Sequence, residues 1–280
     1  MDFINGIIEY QFLRNALLAA IFSGIACGMV GTYIVARRMV FLSGGITHAS
    51  FGGIGIAYYL GQNPIVGALI FAVISSLGIE WSSRNGKMRE DSAIGIVWSV
   101  GMAIGVIFIY LTPGYAPNLM SFLFGNILTV TPTDIIALAV LVVVIIVLAL
   151  FFLRKVMYVA FDREFARSRG VAVNTISYIM AVFMALTIVL SIRLVGIVLL
   201  ISLLTIPAVI VNSLTKSFVK ITVWSAVVGV AGNIAGLYLS YMANIPAGAA
   251  TIFVLAIALI IVKLLPLHRI KKRAVLSENP

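Results

Sequence analysis

Ile135-Ile-Ala-Leu-Ala-Val-Leu-Val-Val-Val-Ile-Ile-Val-Leu-Ala-Leu-Phe-Phe-Leu153 runs without a single polar side chain and ends on Arg154 and Lys155. A bilayer core about 30 Å thick takes roughly 20 apolar residues of helix. This run, read from 133 to 153, is therefore long enough to cross a membrane, and its basic end marks where the chain leaves the lipid. Working outward, hydropathy with Gly, Pro and charge punctuation predicts further spans at 12 to 35, 41 to 60, 64 to 81, 92 to 111, 174 to 192, 195 to 213, 220 to 243 and 247 to 265. The count is eight or nine, because residues 41 to 81 are interrupted only by Gly61, Gln62, Asn63 and Pro64. Segment 119 to 130 is apolar but too short to cross, and suits a re-entrant or interfacial helix buried in protein.

The whole chain agrees with that reading. Of 280 residues, 62% are hydrophobic and 10% charged, and the mean hydropathy is +1.17, well above a soluble domain. A soluble enzyme, a nucleic-acid binder and a disordered protein are excluded as classes. The expected fold is an all-α integral membrane bundle, one unit over 1–280, with a short cytoplasmic helix in the loop 154–170 and a basic tail over 266–280. Small residues four apart, Gly24 and Gly28, Gly101 and Gly105, and Gly232 and Gly236, predict close helix packing.

Charge sets the orientation. The 19 Lys and Arg against 9 Asp and Glu give a net +10, and basic residues are retained on the cytoplasmic side of spans. With the N-terminus outside, all but Arg14 and Arg193 fall inside, and the C-terminal cluster Arg269, Lys271, Lys272 and Arg273 meets anionic lipid. The first residues carry Asp2 and Glu9 and no basic n-region, so the first span directs insertion in place of a cleaved signal. Cys27, alone, forms no disulfide within the chain and reads as a packing residue.

The chemistry in the spans is sparse. Acidic residues, Glu80 among them, fall near predicted helix ends or in loops, which argues against ion-coupled transport. No phosphate-binding loop of the G-x-x-x-x-G-K-S/T kind is present, so ATP must be handled by a partner. His48 is the histidine inside a predicted span. A neutral imidazole is a common ligand for borderline metals, and Gly44 and Gly52, one turn either side, leave room for an ion. The other reading is a histidine hydrogen-bonded to a neighbouring helix. Thr47 is a weaker candidate ligand, and Asn126, Asn233 and Ser240 read as interhelical hydrogen-bonders.

The inner loop Arg154-Lys-Val-Met-Tyr-Val-Ala-Phe-Asp-Arg-Glu-Phe-Ala-Arg-Ser-Arg-Gly170 mixes basic residues with Asp162, Glu164 and aromatics. Phe161, Phe165 and Ala166 would share one face of a short helix. Apolar anchors ringed by charge suit docking to a soluble partner; the same pattern suits an amphipathic helix lying on lipid.

Four segments then come together in order: Arg37-Arg38-Met39 followed by Gly45-Ile46-Thr47-His48-Ala49, Glu90-Asp91-Ser92-Ala93-Ile94-Gly95, Phe161-Asp162-Arg163-Glu164-Phe165-Ala166 with Gly170, and Val195-Gly196 through Ile206-Pro207-Ala208. In these, from about Ala19 to Pro266, the chain resembles the permease subunits of bacterial ABC importers for zinc, manganese or iron. The resemblance implies a homodimer in the inner membrane, a translocation path near the dimer axis, two cytosolic ATPase subunits and an extracytoplasmic metal-binding protein. The chain itself is then no enzyme and holds no permanent cofactor, the divalent metal being cargo and ATP lying on the partner. By the same resemblance Phe161, Asp162, Glu164, Phe165, Ala166 and Gly170 belong to the helix that couples to the ATPase, and His48 contacts metal in the path. Many relatives place an aspartate where this chain has Gly44. Loss of that hard oxygen ligand favours zinc over manganese. The rival class is a stand-alone channel or carrier working without ATP.

Overall fold

The computed structural model describes residues 3–86, 88–113, 124–126, 130–197 and 200–264, and among them eleven helices and no strand. They are α1 (Phe3–Glu9), α2 (Gln11–Ala36), α3 (Val40–Tyr59), α4 (Pro64–Arg84), α5 (Glu90–Leu111), α6 (Pro132–Phe161), α7 (Arg163–Ser168), α8 (Val173–Val195), α9 (Leu200–Leu214), α10 (Phe218–Ala243) and α11 (Ala247–Leu264). Eight of them, α2 to α6, α8, α10 and α11, are long and apolar enough to cross a membrane.

Local chemistry sets several boundaries. Asn63 caps α4 by accepting the Ile65 N–H at 2.9 Å, with Pro64 in the first turn, where its missing N–H costs nothing. Thr131 and Asp134 form a reciprocal capping box at the start of α6, again followed by a proline. Helix α6 does not stop at the lipid edge near Arg154, as the hydropathy suggests, but continues to Phe161. Arg and Lys are good helix formers and their charges suit the negative C-terminal end of a helix. The helix ends at Asp162, whose backbone is extended.

Residues 41 to 81 form two full helices, α3 and α4, joined at Gly61, whose φ of 66° needs the freedom of glycine. The incomplete span lies elsewhere. Helix α9 has 15 residues, about 22 Å at 1.5 Å per residue, too short to cross alone. Helix α8 ends at Gly196, at φ 86°. Leu194, Val195 and Ile197 beside this break are buried, so the backbone at Gly196 is enclosed by protein, the condition for tolerating such a turn at membrane depth. Most of segment 119 to 130, and the tail from 266 onward, lie outside the described residues.

Two packing groups share the core. Helix α2 packs on α10, α9, α6 and α8, while α3 is wedged between α5 and α4; α4 joins the groups by packing on α8. The glycine pairs read from the sequence are the contact points. A Cβ on Gly24 would stand 2.6 Å from the Val230 nitrogen of α10, and Gly28 abuts Ser225 and Ala226 of the same helix. Gly101 and Gly105 abut Ala49 and Phe51 of α3, and Gly232 and Gly236 abut Leu255 and Thr251 of α11. Cys27 is buried, its Sγ 3.5 Å from the Ser191 hydroxyl. Gly24→Leu is therefore expected to force α2 and α10 apart, at a cost of about 1–3 kcal/mol or more. Gly78→Leu, where nothing lies within 4 Å of the added carbon, is the control. The thermal unfolding midpoint in detergent should fall for the first and hold for the second.

Candidate functional site

Helix α3 carries His48 through the most buried position of the bundle. Its glycines make that possible by letting neighbouring backbones approach: Gly53 meets Gly67 of α4, Gly52 meets Gly101 of α5, and Gly55 meets Gly105. The expectation that Gly44 and Gly52 leave room for an ion is therefore corrected. Carbonyl oxygen of Gly101 and the Phe71 ring fill the space at Gly52, while Ile201 and the Trp98 ring fill it at Gly44.

His48 itself is half-buried and lies flat on Trp98, with ring centroids 4.3 Å apart and planes 6° from parallel. Its Nδ1 is buried with no hydrogen-bond partner among the described residues, so no neighbouring helix satisfies that atom. A buried polar atom left unpaired costs about 1–3 kcal/mol. Among the described residues no group of three or more His, Cys, Asp or Glu could hold a metal. A site with several such ligands needs groups from elsewhere. Thr47 is fully buried and its hydroxyl donates to the Ser43 carbonyl at 2.5 Å, so its proton is engaged within α3. Asn233 donates to the Ala20 carbonyl at 2.8 Å and to Ser23 at 3.0 Å, joining α10 to α2, and Ser240 donates to the Ile245 carbonyl. Both are interhelical or local glue, as their residue types suggest.

At the other end of the molecule α7 forms a small projection between α6 and α8. The Asp162 carboxylate accepts the Glu164 and Phe165 N–H groups, both at 2.9 Å, and so starts the helix. Gly170, at φ 71°, ends it, its N–H bonded to the Arg167 carbonyl. Phe161 and Phe165 are exposed, at 65% and 42%, alongside Asp162 and Glu164. Phe161 rests edge-on against Phe218, and Phe165 against Tyr158 with Arg169 over its ring. Ala166 does not share this face. It is fully buried with Val159 and Val173, because the Asp162 cap sets the phase of the helix and turns position 166 inward. Asp162→Ala removes the cap at a cost of about 1 kcal/mol, and amide hydrogen exchange at Glu164 and Phe165 should rise while α6 and α8 stay protected.

One group that hydropathy left among the helix ends proves central. Glu80, near the C-terminal end of α4, is 3% exposed and accepts Arg163 of α7 at 2.8 Å and Arg37, just past α2, at 3.5 Å. Arg37 also donates to the Tyr33 hydroxyl at 3.0 Å. The signal was present in the sequence: an acidic residue inside a candidate span is a functional candidate by default.

The family model of the ABC 3 transport family matches residues 9–265. The manganese transport system membrane protein MntC of Halalkalibacterium halodurans is 34% identical over 252 residues, 90% of this chain and 86% of the relative. The manganese import system permease protein ScaB of Streptococcus gordonii is 32% identical over 276 residues, 98% of this chain and 99% of the relative. Among solved structures, PsaBC from Streptococcus pneumoniae in complex with Fab superposes with a TM-score of 0.86 at 30% identity, covering 97% of this chain and 98% of that one. Both relatives are named for manganese and neither for zinc, so the preference for zinc drawn from Gly44 has no support there. On matches of this extent, the chain belongs to the ABC 3 transport family and is a multi-pass permease of a metal importer.

Proposed function

We propose that this chain is the membrane-spanning subunit of an ATP-driven importer of divalent manganese. Two copies enclose a path that passes His48, and a dimer of cytosolic ATPases engages α7. An extracytoplasmic binding protein delivers the ion from outside, the C-terminus lies in the cytoplasm and the N-terminus outside, a topology in which the short α9 together with the turn at Gly196 before it makes the ninth crossing. The observation that carries this reading is the projection at Phe161–Gly170, where a capped helix holds two aromatic side chains outward amid charge, the anatomy of a docking anchor. Its exposed phenylalanines fit the groove of a soluble partner better than they fit a resting place on lipid, because Glu164 stands between them.

Manganese is the proposed cargo because the relatives above are named for it. Zinc is the second reading, favoured by one feature of this chain: Gly44 offers no carboxylate beside His48, and an imidazole without hard oxygen ligands suits zinc better than manganese. A weak site is no objection, since conduction needs release as well as binding. The test is uptake into proteoliposomes by the full complex, with manganese, zinc and iron in competition. ATP-dependent accumulation with manganese preferred is the expected result. Uptake by this chain alone, without ATP, would establish the channel or carrier in its place, and preference for zinc would reassign the cargo.

A further inference from the structure

We propose that Glu80 is a positioning residue that links the docking helix α7 to the helix bearing His48. This rests on the reading of α7 as the element the ATPase engages, and goes beyond it by naming the route through which displacement of α7 reaches the ion path. The main packing of α7 is on α6 and α8, its neighbours in sequence. The Arg163–Glu80 bridge leads instead across to α4, and through the same carboxylate to Arg37. Arg37 caps the end of α2, and α3 begins at Val40, only a tight turn later. That turn is held by Arg38 in the left-handed region, at φ 59°, which a non-glycine residue adopts at a cost of about 1–2 kcal/mol. A strained, short connection passes on the movement of Arg37 where a slack loop would absorb it.

The electrostatics favour a linkage that moves as a unit. A carboxylate near the C-terminal end of a helix faces the negative end of the dipole, and burial at 3% exposure adds a desolvation cost. Glu80 is held there by its two guanidinium partners, one on each carboxylate oxygen. Pulling Arg163 away would break the shorter of the two contacts and leave Glu80 with Arg37 alone at 3.5 Å, so α4 and Arg37 follow α7. The three residues also join two of the segments quoted from the sequence, Arg37-Arg38-Met39 and Phe161 to Ala166, through a residue in neither.

Arg163→Met is the discriminating variant, because it leaves Glu80 paired with Arg37 and so leaves no buried charge alone. In the full complex with its ATPase and manganese-loaded binding protein, it is expected to assemble in normal proportion and to hydrolyse ATP, while manganese taken up per ATP falls about tenfold. Arg163→Lys, which keeps the charge, should restore most of that ratio. An unchanged ratio in Arg163→Met overturns the proposal, as does a loss of uptake that merely follows loss of bound ATPase. Phe161→Ala, measured in parallel, separates the two readings. If it lowers the ratio and Arg163→Met does not, only the Glu80 link fails; if neither does, the docking reading fails with it.

Discussion

Glu80→Ala is expected to lower the stability of the folded chain by about 3–5 kcal/mol, the cost of leaving a buried partner charge without its counterion. The reason lies in the unequal exposure of its two partners. The Arg163 side chain is 28% exposed and can turn to water, but that of Arg37 is 8% exposed and keeps the Tyr33 hydroxyl, the face of its ring 5.6 Å away and the more distant charge of Glu90. Glu80→Gln should cost less, since an amide oxygen still accepts from one guanidinium. Arg163→Met should cost least of the three, since the Arg37–Glu80 pair survives. The order is measurable as thermal unfolding midpoints of the purified protein in detergent. A Glu80→Ala midpoint within a degree or two of the parent would mean that water reaches Arg37, and the bridge would then be an ordinary surface pair worth little.

Much of the bundle was legible because lipid leaves the chain few options. Runs such as Ile135 to Leu153 can only be helices at that length and apolarity, and Asn63-Pro64 and Thr131-Pro132 announce helix starts with their own chemistry. Gly24, Gly101 and Gly232 signalled close contact correctly because spacing of small residues is a property of one helix face. What they contact is a tertiary fact. Gly44 and Gly52 look like vacant space beside His48 until Ile201 and Gly101 arrive from far along the chain. The same limit hid the late start of α9, which begins at Leu200 where hydropathy puts a span from 195, and the inward turn of Ala166, which depends on where Asp162 starts a helix of one and a half turns. The partners of Glu80 were hidden for a different reason. Its position near the end of an apolar run resembles the usual charged punctuation of a span, and only the arrival of Arg37 and Arg163 on the two oxygens of its carboxylate makes it a junction.

His48→Leu should separate transport from stability in the opposite sense to Glu80→Ala. Leucine roughly fills the volume of imidazole and keeps an apolar face against Trp98. It also removes a buried nitrogen that has no partner among the described residues. Replacing an unsatisfied buried polar atom with an apolar one is close to neutral or stabilising, so the unfolding midpoint should hold or rise. If His48 lines the path as proposed, uptake should fall about a hundredfold or more, because even indirect supports of metal ligands cost 10–100-fold when removed and a ligand acts directly. ATP hydrolysis should persist, since α7 and its link through Glu80 are untouched. A variant that transports normally removes His48 from the path. A variant that fails to fold identifies the Trp98 stack as a structural clasp, which would require a polar neighbour for Nδ1 from the second copy of the chain.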